Sequence, residues 1–181
     1  MAGLVLAAIA AVCAASPPES ADAERPSPDE VEAAYLYNFG KFVHWPPGAT
    51  QAPMILCVAG QDAIREFLGR MVAGEQIEGR AIEVKQLDRS DEAGTCSMLF
   101  IGAGERNQVD AYLAASAGKP VLTVGDEPDF LARGGVIQFV LSGNHVRFSV
   151  NLDAATRNSL QLSSELLKVA IRVTGKPGGL P

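Results

Sequence analysis

The chain has 181 residues, 48% of them hydrophobic and 20% charged, and a formal net charge of −6 at pH 7. That length suits one compact domain, and that balance can bury a core, which excludes an intrinsically disordered chain. The 15 Lys and Arg residues are scattered among acids with no basic run, which excludes an electrostatic nucleic-acid interface.

Leu4 to Val12 is an apolar run too short to span a bilayer, and Ala21-Asp22-Ala23 behind it has the small-x-small pattern that signal peptidase reads. Residues 1–23 therefore read as a secretory signal with cleavage near Glu24, which leaves an exported domain at 24–181 with its core at about 28–173. No stable membrane insertion is expected after cleavage. Loss of Glu19 and Asp22, with no base, takes the charge from −6 to −4. Two cysteines stay in the mature chain, Cys57 and Cys96. An even count in an exported chain favours a bridge, closing a loop of about 40 residues; two separately buried thiols are the alternative.

Ser27-Pro28-Asp29-Glu30 is a capping box with proline in the first turn, so a helix starts here. Val31, Ala34, Tyr35, Phe39 and Phe42 follow at helical spacing, and Trp45-Pro46-Pro47 ends the helix. A core helix is the expected reading, with its Trp45 end as a candidate docking surface.

Downstream, Met54 to Ala59 reads as a buried strand, Gln61 to Val72 as a helix and Ala81 to Leu87 as an alternating strand. Met98 to Ile101 is another strand, Glu105 to Ala115 a helix and Pro120 to Val124 a strand. This rhythm implies a mostly parallel sheet with helices on both faces. Val136 to Leu141 and His145 to Leu152 form a C-terminal antiparallel hairpin through Ser142-Gly143-Asn144. His145, Arg147 and Ser149 make its outward row, a second candidate docking patch. Asp153 to Asn158 is a short helical turn, and Ser163 caps a closing helix over Glu165 to Val173. The fold class is thus single-domain α/β.

No catalytic, metal or cofactor site is expected. His44 and His145 stand far apart with no cysteine or histidine at ligand spacing. Gly102-Ala103-Gly104 follows a strand, but Asn107 stands where a dinucleotide loop needs its third glycine, so these glycines read as a tight turn. There is no G-x-S-x-G elbow. Asp126, Glu127 and Asp129 form an acidic loop without the spacing of a calcium loop. Two classes of function remain, a regulator acting by contact with another protein and a small-ligand receptor using a crevice at the carboxyl ends of the parallel strands.

The ordered segments VEAAYLYNFGKFVHWP, ILCVAG, AIEVKQL, CSMLFIG, PVLTVGD and VRFSVNLDAATRNSLQLSSELLKVA together resemble the YfiR family, from Val31 to about Val173. The most specific parts are the aromatic helix ending in Trp-Pro, the Arg-Phe-x-x-Asn-Leu-Asp segment and Ser-Ser-x-Leu-Leu. The resemblance implies a periplasmic protein that binds the sensor domain of an inner-membrane diguanylate cyclase and holds it inactive. It also implies that the protein can form a homodimer, and that Cys57 and Cys96 are the family's pair flanking the central strands. A second cysteine pair of some members is absent, and His44 replaces a residue that is often acidic.

Overall fold

The computed structural model describes residues 26–49 and 53–176; the expected signal segment lies outside them. The first helix, α1, spans Pro28–Phe42 and starts as its residues dictate. Ser27 Oγ accepts from the Glu30 amide at 3.2 Å while Glu30 Oε2 accepts from the Ser27 amide at 2.8 Å, so two orphan donors are satisfied reciprocally. The helix stops before Trp45 because Val43–His44 turns extended as β1 and pairs antiparallel with β9, Gln161–Leu162.

Next come β2 (Met54–Ala59), α2 (Ile64–Met71), β3 (Gln76–Ile77) and β4 (Arg80–Leu87). A 3-10 turn at Ser90–Thr95 leads to β5 (Met98–Ile101), and another at Ala103–Gln108 leads to α3 (Val109–Ser116). The chain continues through β6 (Leu122–Gly125), β7 (Ile137–Ser142), β8 (His145–Asn151), α4 (Leu152–Arg157), β9, α5 (Ser164–Val169) and β10 (Arg172–Thr174). The main sheet has eight strands in the order β10-β8-β7-β6-β5-β2-β4-β3. From β4 to β7 every neighbouring pair is parallel, while β7 and β8 form the antiparallel hairpin. After β4 the chain crosses to the other side of β2 to lay down β5, so the winding reverses between β2 and β5.

Side chains of the central strands alternate between two cores. Leu56, Val58, Met98, Phe100, Leu122 and Val124 face α1 and α2. Cys57, Ala59, Leu99 and Ile101 face α3 and the first 3-10 turn. The single-domain α/β architecture, with a mostly parallel sheet covered on both faces, is as the sequence implied.

Three details differ from the sequence reading. The segment expected as a helix from Glu105 begins as a 3-10 turn and becomes α-helical only at Val109. The β3–β4 hairpin was unforeseen because Glu78, with φ 53°, shares its turn with Gly79, φ 75°; a glutamate in the left-handed region hides the usual Asn-Gly signal. The closing helix expected over Glu165 to Val173 ends at Val169, and Arg172–Thr174 becomes β10, parallel to β8 with Arg172 opposite Ser149. The β-branched alternation Ile171-Arg172-Val173-Thr174 suits a strand, and the open side of β8 supplies its ladder.

Candidate functional site

Cys57 on β2 and Cys96 just before β5 are joined by a disulfide, with Cα atoms 5.9 Å apart. The neighbouring strands make this span natural. The bridge lies in the core beneath α3, beside the buried Tyr112, whose hydroxyl donates to Leu87 O at 3.2 Å. It staples the point where the winding reverses.

The two sequence-derived patches fare differently. Trp45 is 7% exposed and its Nε1 donates to Ser97 O at 3.1 Å, so it anchors α1 to the start of β5 and is not a surface. In the outward row His145 and Arg147 are exposed, whereas Ser149 is buried beside β10. The structure exposes a third surface instead. Val169, Ile171 and Val173 are 62%, 54% and 40% exposed along the end of α5 and β10. The Ile171 amide donates to Phe148 O at 2.9 Å and the Thr174 hydroxyl to Val150 O at 3.1 Å, which fixes this aliphatic strip on the sheet. The sequence reading missed it because a helical wheel turns Ile171 inward.

The acidic loop joins a cluster at the carboxyl ends of the parallel strands. Glu127 is buried and accepts from Arg106 Nε at 3.0 Å. Asp126 Oδ1 is buried without a hydrogen-bond partner. Asp62 Oδ1 accepts from the Ile64 amide at 3.0 Å, and its carboxylate fills the space a side chain at Gly102 would need, so the glycine turn is a close approach. Glu32, on α1, completes the cluster, and no periodicity marked it. Burial, followed by the charges of Asp126, Asp29 and Asp62, pushes the Glu32 carboxyl up to about 8. Burial also pushes Asp126 up to about 6, helped by Asp62 and Glu127 and opposed by backbone N–H groups.

Both acids hold protons in the folded state that the unfolded chain has released. The stability they confer is therefore fully present below the ordinary carboxylate range and is lost as pH rises, through about 6 for Asp126 and about 8 for Glu32. Thermal melts should show a midpoint falling from mildly acidic to mildly alkaline buffer, and Glu32→Gln should flatten the upper part of the slope. An identical slope in the variant would refute the assignment.

Among the described residues no group of three or more His, Cys, Asp or Glu side chains is placed to hold a metal ion. His44 Nδ1 instead lies 3.5 Å from Glu78 Oε1, both exposed, and His145 sits at the hairpin tip. No helix among the described residues is long and apolar enough to cross a membrane.

The molecule is thus a stapled α/β body with an aliphatic strip displayed from the end of α5 along its last strand. The profile of the YfiR/HmsC-like family matches residues 29–171, and the chain belongs to that family. The family is one of periplasmic regulators of diguanylate cyclase signalling rather than of catalysts. No curated protein sequence matches the chain. The crystal structure of a conserved domain protein from Vibrio cholerae O1 biovar El Tor strain N16961 is similar in fold, with a TM-score of 0.56 at 9% identity over 82% of this chain. The chain spans 60% of that protein's length, and at such identity the likeness is one of fold.

Proposed function

We propose that the protein acts in the periplasm, docking on the sensor domain of an inner-membrane diguanylate cyclase and holding it inactive, which lowers cyclic-di-GMP. Membership of the family supports the class of partner. The observation that carries the docking mode is the exposed Val169, Ile171 and Val173 strip, flanked by Arg172. Aliphatic surface beside a cation is what a desolvating contact needs, and a strand fixed to a stapled sheet presents it with little ordering cost. Binding only the inactive conformer shifts the cyclase population without chemistry; a swing from mostly active to mostly inactive requires differential affinity of about 5 kcal/mol.

The test is capture from the native envelope with tagged protein, alongside cyclic-di-GMP measurement in a deletion strain. Ile171→Lys should weaken cyclase capture at least about tenfold, equivalent to about 1.4 kcal/mol, with an unchanged melting temperature. Failure to recover any cyclase, together with unchanged cyclic-di-GMP on deletion, would overturn the proposal. Undiminished capture by the variant would move the docking surface elsewhere.

A further inference from the structure

A cavity of about 280 Å³ opens on the α3 side of the sheet, towards the amino ends of β6 and β7. The end of α3, the Arg133-Gly134 turn and the end of α4 form its walls. We propose that it binds a small aliphatic monocarboxylate, with the Arg157 guanidinium and the Thr123 hydroxyl as the groups that hold the carboxylate.

The walls divide into groups already committed and groups left open. Asn158 is committed at both ends of its amide: Oδ1 accepts from the Gly118 amide at 3.1 Å and Nδ2 donates to Val121 O at 2.8 Å. Arg133 Nε donates to Asp110 Oδ1 at 2.7 Å, so these two charges cancel. Arg157 has no carboxylate partner among the described residues. Its guanidinium lies near Gly134, with Nη2 3.6 Å from where a Cβ would stand, and the φ of 103° at Gly134 is what calls for a glycine in this turn. The cavity therefore carries one uncompensated, permanent positive charge.

Thr123 lies in the cavity wall and is 1% exposed. Its Oγ1 accepts from the Val136 amide at 3.1 Å, but its own hydrogen finds no acceptor among the described residues. A buried hydroxyl with an unspent donor asks for an acceptor from outside the chain. Leu113, Ala114 and Ala117 line the remaining wall with apolar surface. A guanidinium fork and one neutral donor lining the same cavity offer partners for the two oxygens of a carboxylate, and the apolar wall suits a short alkyl chain. Phosphate, with no alkyl chain to set against that wall, gains nothing from it.

Calorimetric titration of the purified protein with butyrate, inorganic phosphate and 1-butanol tests this. Saturable binding of butyrate is expected, tighter than that of either other probe. Arg157→Gln, at an exposed position that should leave the melting temperature unchanged, should weaken butyrate at least about tenfold. Arg157→Lys keeps the charge but loses the fork, and should retain part of the affinity. Amide chemical-shift changes should centre on Gly134 and Asn158. Absence of saturable butyrate binding, equal affinity for butanol, tighter binding of phosphate, or full affinity in Arg157→Gln would each overturn the proposal.

Discussion

Replacing both bridged cysteines, as Cys57→Ala with Cys96→Ala, is expected to cost about 4 kcal/mol of stability. The loop between them spans 39 positions, and the figure follows from the chain entropy that the closed loop removes from the unfolded state. At this chain length the melting temperature should fall on the order of 10 °C. Because the effect acts through the unfolded ensemble, the folded spectrum should change little: near-ultraviolet circular dichroism below the transition should overlay that of the parent. Treatment of the parent with reductant under mild denaturation should reproduce the shift. A loss below about 1 kcal/mol would mean that the bridge closes a loop already held shut in the unfolded chain.

Phe39→Ala should be as damaging by a different route. Phe39 is 1% exposed, and its ring centroid lies 5.8 Å from Tyr35, 5.8 Å from Phe139 and 5.0 Å from Phe148, the last edge to face. These contacts join α1 to both strands of the hairpin. Truncation removes buried surface and leaves a hole that the stiff neighbouring rings cannot fill, for about 3–5 kcal/mol. Here the folded state itself changes, so the near-ultraviolet aromatic signal should weaken even where the variant is folded. Phe39→Leu should recover part of the loss. A variant melting within a degree or two of the parent would show that α1 is held chiefly by α2.

Signals that are local in sequence were legible. The capping box at Ser27 and Glu30, the alternating strand and helix rhythm, the hairpin at Gly143 and the Ser163 cap all depend on residues within a few positions of one another. What escaped depends on contacts between distant segments. Val173 reads as helical or extended according to whether β8 offers it a free side, which no window of sequence reveals. Trp45 followed by two prolines looks like an exit to the surface, yet Ser97, 52 positions away, receives its indole N–H. Glu32 resembles any polar position on an amphipathic helix until Asp62 and Asp126 arrive beside it from two other loops. The cysteines, 39 positions apart, were readable as a bridge from their even count in an exported chain, whereas the exposed strip at Val169, Ile171 and Val173 gave no comparable sign.

The two rims of the eight-stranded sheet are its shortest members, β3 with two residues and β10 with three. Strand-by-strand growth into fibrils needs a long, flat rim with many unsatisfied main-chain groups in register. Beyond these short strands, residues 82–87 of β4 and 145–148 of β8 have no strand on their outer side among the described residues. Brevity at the rim is therefore not what guards the β4 margin; the exposed Glu83 and Lys85 are, because an added strand would have to lie down against both charges.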